Sequence, residues 1–280
     1  MNNLEDIKFT NLLKSLKEME SALLAYSGGV DSTFLLKAMQ ISGMKSLAIT
    51  AVSELIPHSD VMMSARTAGE LGMEHRVLRI EPLSREDFVS NTPLRCFFCK
   101  DDLFIRLKAI ASEEGCSFLL DGTNIDDTSD HRPGIKAAMK NGVRSPLAEA
   151  GFSKKEIREK SRLLGLPTWD RPSSPCLATR IPYGHRITRE SLERVERSED
   201  FLRSLGFRKI RVRNNLDVAR IEVGAEEIDL MLSPEKRKII SGTLKSFGFK
   251  FISLDLEGYR SGSMDEILNG NRDLCNRTDT

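Results

Sequence analysis

The sequence predicts an α/β protein, a parallel sheet with helices on both faces, plus a smaller α+β C-terminal domain. Three observations predict it. Short apolar runs bounded by turn residues alternate with stretches of helical spacing through the first part of the chain. The runs read as buried strands, which a parallel sheet covered on both faces supplies. Past a proline-rich stretch the order changes to helix, two strands, helix and strand.

In chain order, "SALLAYS" (21–27), "KSLAITAV" (45–52), "EHRVLRIE" (74–81) and "SFLLDGT" (117–123) each read as a strand. Between them, "STFLLKAMQIS", "SDVMMSARTAGELG" and "CKDDLFIRLKAIASEEG" have helical spacing, as does the later "GFSKKEIREKSRLLGLP". "TWDRPSSPCLATRIPYGHRIT" has few periodic positions and reads as both a linker and an active-site loop. Beyond it come a helix (188–205), the strands "KIRVRNN" and "DVARIEVG" as an antiparallel hairpin, a helix (233–247) and the strand "FKFISLDLEG". The expected domains are 1–170 for nucleotide binding, 171–187 as the loop, 188–262 for substrate and 263–280 as a tail.

The 280 residues carry 42 Lys+Arg against 41 Asp+Glu, so no global field attracts nucleic acid or an acidic membrane. No window approaches a membrane span, and the N-terminus lacks the pattern of a secretory signal. A cytoplasmic protein is expected. Five cysteines are an odd number for a disulfide framework, and reduced thiols or a metal site fit better.

The stretch "AYSGGVDSTFLL" (25–36) sets two glycines between a strand and a helix expected to begin near Ser32. Backbone N–H groups in such a turn face an anion, and the helix adds the positive end of its dipole. It is not a Walker A loop, because no lysine occupies it. In "DGTNIDDTSDHRPG" (121–134), Asp121 closes a strand and projects at the same sheet edge, with Gly122 and Thr123 beside it as further candidates for nucleotide binding. Asp121 with Asp31 could hold Mg²⁺, or the run is a polar turn.

"RCFFCK" spaces Cys96 and Cys99 as C-x-x-C, and "SSPCLATR" adds Cys176. Three such thiols can surround a metal or cluster, or simply pack. Arg171 and Arg180 near Cys176 would favour its thiolate. Cys116 reads as a buried structural thiol and Cys275 as incidental. The histidines at 58, 75, 131 and 185 form no ligand spacing, and Trp169 reads as packing beside the loop.

"SGGVDS" resembles the PP-loop of the adenine nucleotide α-hydrolase superfamily. That resemblance implies a five-stranded parallel sheet, with Ser27, Gly28, Gly29, Asp31 and Ser32 at the pyrophosphate of ATP and Ser53 at the adenosine. Taken with "RCFFCK", "DGTN", "RPG" and "SSPCLATRIPYG", the chain from about residue 10 to 260 resembles the LarE family of ATP-dependent sulfur transferases.

The family resemblance implies adenylylation of a carboxylate of pyridinium-3,5-biscarboxylic acid mononucleotide by MgATP, then its conversion to a thiocarboxylate. This chemistry serves the nickel-pincer nucleotide cofactor of lactate racemase and related enzymes. One-cysteine members surrender the sulfur of the residue matching Cys176. Three-cysteine members hold a [4Fe–4S] cluster with a transferable sulfide, and Cys96, Cys99 and Cys176 imply that type, with an unknown donor reloading the sulfide. A homo-oligomer, a hexamer in the family, is also implied.

Arg211 and Arg213, two apart on one strand face, could grip the substrate phosphate or form a solvated basic face. Arg180 is a third candidate and Glu199 a fourth; locally Glu199 reads as a salt-bridge partner on an exposed helix. The glycine turn and the three thiols are expected to face one cavity. Competing readings are a tRNA thiolase, a nucleotide-dependent redox-sensing protein and an amide-forming synthetase.

Overall fold

The computed structural model describes residues 3–128 and 133–260. His131, Arg132, Cys275 and the tail 263–280 lie outside the described residues. The chain divides into two compact units between Ser174 and Pro175, inside the proline-rich stretch.

The first unit runs α1 (Asn3–Glu18), β1 (Ser21–Ala25), α2 (Val30–Ser42), β2 (Lys45–Val52), α3 (His58–Glu70), β3 (His75–Arg79), α4 (Glu86–Val89) and α5 (Arg95–Glu113). It continues with β4 (Phe118–Leu120), α6 (Ile125–Thr128), α7 (Pro133–Lys140), α8 (Pro146–Glu149) and α9 (Lys154–Leu163). The strands are parallel in the order β3-β2-β1-β4. Because side chains alternate across a strand, Ala22 and Leu24 of β1 join one core with Leu12, Phe34 and Ile157, while Leu23 joins another with Phe104, Leu107 and Ala137. Helices therefore cover both faces. The order reverses at β1, and ligands of open α/β sheets bind beyond the strand ends at such a point.

The arrangement is consistent with the phosphate-loop fold, with two differences from expectation. Among the described residues the sheet has four strands, and the fifth position is a single parallel bridge between Leu120 and Arg144. Pro146 follows two residues later and has no N–H with which to extend a ladder. β3, expected to be buried, is the edge strand and largely exposed; Arg76 on it pairs with Glu74 and Glu114.

The second unit comprises α10 (Arg189–Ser204), β5 (Ile210–Asn215), β6 (Val218–Val223), α11 (Ile228–Leu232), α12 (Pro234–Ser246) and β7 (Phe251–Leu254). β5 and β6 form the expected antiparallel hairpin, and β7 joins β6 in parallel. Val212, Ala219 and Ile221 pack with Leu202, Ile240 and Leu244 into its own core. No helix among the described residues is long and apolar enough to cross a membrane.

Candidate active site

β1 ends at Ala25 and the chain turns at once into α2. Gly28 makes the turn at φ +69°, where side chains are strained. A Cβ there would also stand 2.7 Å from Ser64 Cβ on α3. Gly29 caps α2 without a side-chain acceptor, which leaves the first amides of the helix available to an anion. Ser27 Oγ accepts the Gly29 N–H at 3.3 Å and lies 3.0 Å from Ser32 Oγ.

The second predicted run meets this turn at the backbone. A Cβ on Gly122 would lie 2.9 Å from Ser32 N and 3.0 Å from Ser32 Cα. Asp121, immediately before it, is buried, and Thr123 ties into its carboxylate through N–H (3.1 Å) and Oγ (2.9 Å). Ser145 Oγ donates to the same carboxylate at 2.7 Å. Ser53 follows β2 at the same sheet edge, its Oγ accepting the Leu55 N–H at 3.2 Å.

Asp31 lies in the first turn of α2, with Oδ2 3.2 Å from Lys154 Nζ. Its Oδ1 is buried without a hydrogen-bond partner. Burial pushes the Asp31 carboxyl above the usual carboxylate range, with Lys154 opposing. A desolvated oxygen left unpaired is costly, and it is the donor that a hard cation takes. Asp31 fits the Mg²⁺ role, whereas the Asp121 oxygens are already engaged in shaping their loop. Among the described residues no three of His, Cys, Asp and Glu are gathered to hold a metal ion.

In the second unit the substrate candidates form one buried group. Arg180 and Glu199 are both 0% exposed and paired through two hydrogen bonds of 2.9 Å. Glu199 also accepts the Val212 N–H at 3.1 Å and pairs with Arg203. This corrects the expectation of an exposed helical salt bridge. On α10, Leu192, Val195, Glu199 and Leu202 fall at spacings of three and four, so Glu199 occupies the buried stripe. Burial is the largest single influence and works against its ionised form, but the charge and hydrogen bonds of Arg180, the Arg211 charge and the Val212 N–H together outweigh it, and the carboxyl is held below its usual range.

Arg211 and Arg213 are buried too, which excludes the solvated basic face. Arg213 grips Glu222 through Nε (2.8 Å) and Nη2 (2.7 Å) and donates from Nη1 to Thr179 O at 2.9 Å. Arg211 stacks on the Tyr259 ring at 5.0 Å. Burial, and then the neighbouring Arg180 charge, pull the Arg211 guanidinium down to about 10. Cations destabilised in this way favour an anion beside them.

Cys176 belongs to this group. It precedes the 3₁₀ turn Leu177–Arg180, and Arg180 Nη1 donates to Pro175 O (2.6 Å), Cys176 O (3.1 Å) and Thr179 Oγ (3.0 Å). Cys96 and Cys99 start α5 in the first unit, three residues apart and so on one helix face. All three occur as half-buried thiols, as does Cys116, whose thiol burial pushes up. Thiolates are the ligand type that iron–sulfur clusters take; Cys96 and Cys99 belong to the first unit and Cys176 to the second.

Two features escaped the sequence reading. Lys154 reaches Asp31, and Arg171 reaches the glycine turn, donating from Nη1 to Gly28 O at 3.0 Å and from Nη2 to Asp60 Oδ1 at 2.6 Å. Neither contact has a local signature, since the partners are more than a hundred positions apart.

No family model matches the chain. An uncharacterized protein of Synechocystis sp. is 42% identical over 262 residues, 93% of this chain and 98% of that protein. The pyridinium-3,5-bisthiocarboxylic acid mononucleotide synthase of Lactiplantibacillus plantarum is 36% identical over 263 residues, 93% of this chain and 95% of that protein. An uncharacterized protein of Methanocaldococcus jannaschii is 31% identical over 255 residues, 91% and 97% respectively.

Proposed function

The chain belongs to the LarE family, that of the pyridinium-3,5-bisthiocarboxylic acid mononucleotide synthase, and from that premise we propose that it is an ATP-dependent sulfur transferase. Its substrate is pyridinium-3,5-biscarboxylic acid mononucleotide and its product the thiocarboxylate. A carboxylate is a poor electrophile whose oxygen is a poor leaving group, so it is first activated. A substrate carboxylate oxygen attacks the α-phosphorus of ATP, the bond to pyrophosphate breaks, and an acyl adenylate forms. A sulfur nucleophile then adds to the acyl carbon, the C–O bond breaks, and AMP leaves with the electron pair.

The residues divide these tasks. Ser27, Gly28, Gly29 and Ser32 receive the departing pyrophosphate, with Gly122 and Thr123 beside them and Ser53 toward the adenosine. Asp31 offers its unpaired oxygen to Mg²⁺, with Asp121 behind it. Arg180, Arg211 and Arg213, organised by Glu199 and Glu222, bind the substrate phosphate and carboxylates. Cys96, Cys99 and Cys176 would hold a [4Fe–4S] cluster, which supplies a transferable sulfide when bound.

One observation carries the reading: the peptide of Cys176 is bonded to a buried arginine that shares its pocket of charge with Arg211 and Glu199. A thiol and an anion-seeking group are thereby fixed together. The test is turnover of anaerobically purified protein with MgATP, substrate and added inorganic sulfide to reload the cluster, followed by mass spectrometry. Iron in the protein, pyrophosphate, AMP and several thiocarboxylates per chain are expected, with Cys96→Ser and Cys99→Ser each abolishing multiple turnover. Iron-free protein that loses one H₂S from Cys176 per product would assign sacrifice of that residue instead. Absence of pyrophosphate release would overturn the activity.

A further inference from the structure

We propose that Arg171 and Asp60 are positioning residues for the nucleotide phosphates, acting by fixing the direction of the Gly28–Gly29 peptide. The inference rests on the reading of the glycine turn as a phosphate loop. In a trans peptide the carbonyl and the following N–H point in opposite directions within one plane, and the described residues contain no cis bond. Arg171 Nη1 holds the Gly28 carbonyl at 3.0 Å, so the Gly29 N–H is turned to the other side. Without Arg171 the peptide keeps only the long bond from Gly29 N–H to Ser27 Oγ at 3.3 Å among its described side-chain contacts, and glycine at positions 28 and 29 removes the steric terms that normally choose an orientation. A flipped peptide would present a carbonyl oxygen to an anion and repel it.

Arg171 is itself fixed. Its Nη2 pairs with Asp60 Oδ1 at 2.6 Å, and Ser174 Oγ donates to Asp60 Oδ2 at 2.7 Å. Arg158 Nη2 donates to the Arg171 carbonyl at 2.6 Å. The pair is only 22% and 16% exposed, so competing water is limited. Asp60 sits in the first turn of α3, the same helix whose Ser64 abuts Gly28. One helix therefore limits the turn sterically and, through Asp60 and Arg171, sets its hydrogen-bonding sense.

The probes are inorganic pyrophosphate, which needs the turn, and AMP, titrated calorimetrically into the full chain. Arg171→Ala is expected to weaken pyrophosphate binding by about tenfold or more, as loss of an aligned anion-binding donor does, while AMP affinity changes by less than about threefold. Asp60→Asn, which leaves the Gly28 bond in place but loosens its anchor, should move pyrophosphate affinity in the same direction by less. Arg171→Lys should restore only part of the loss, since an ammonium lacks the fork that spans both partners. Thermal melting checks that each variant is folded, and Asp60→Asn decides if Arg171→Ala is not. Unchanged pyrophosphate binding in the folded variants, or equal weakening toward both probes, would overturn the inference. Failure of the unaltered protein to bind either probe would overturn the phosphate-loop reading itself.

Discussion

Replacing Gly122 by alanine tests whether the two halves of the proposed nucleotide site meet where the structure joins them. The added Cβ would stand 2.9 Å from Ser32 N and 3.0 Å from Ser32 Cα, about half an ångström inside an ordinary contact. Both atoms are backbone at the start of α2, so no side chain can swing away. Overpacking of this kind costs about 1–3 kcal/mol of stability. Displacement of a reacting group by 1 Å can cost roughly a hundredfold in rate, so half that shift at the phosphate loop should cost about tenfold. The assay is substrate-dependent pyrophosphate release at saturating and limiting ATP, with urea unfolding of the same preparation. Gly69→Ala is the control: it lies in α3 with no neighbour within 4 Å of the new Cβ, and it should stabilise by up to about 1 kcal/mol without touching the rate. Unaltered pyrophosphate release by folded Gly122→Ala would refute the placement of "DGT" against the loop.

Three further outcomes are expected. Glu199→Ala leaves Arg180 buried beside Arg211 without its counter-charge and should cost about 3–5 kcal/mol, read as a fall in the urea midpoint at constant m; a loss under 1 kcal/mol would contradict the buried pair. Because the folded Glu199 carboxyl is held below its usual range, its ionised form stabilises the protein above that range and the contribution is lost as pH falls through the lower folded value; Glu199→Gln should flatten this acid slope. Asp31 has the opposite sign: its raised value makes ionisation a cost to the fold above the usual carboxylate range, so Asp31→Asn should melt higher than the parent near neutral pH, with the gain vanishing in acid, while MgATP-dependent pyrophosphate release is lost. A parent-like melting temperature at neutral pH would argue against the orphaned Asp31 oxygen.

What the sequence determined by itself was local. Apolar runs and helical spacings located β1, β2, β4 and the β5–β6 hairpin, because burial on both faces or on one writes a period into the chain. The glycine pair marked the tight turn after β1, because only a residue without a side chain accepts φ +69° against Ser64. The tertiary structure decided what depends on neighbours remote in the chain. It made β3 an exposed edge, reduced the fifth strand to a bridge at Arg144, and brought Gly122 to Ser32, Lys154 to Asp31 and Arg171 to Gly28. It also decided between the open readings of Arg211, Arg213 and Glu199, burying all three instead of leaving a solvated basic face and an exposed salt bridge, although the stripe Leu192, Val195, Leu202 already ran through Glu199. The physical reason is that periodicity reports which face of an element is covered, whereas the charge state, pairing and reach of a polar side chain are set by whatever packs on that face.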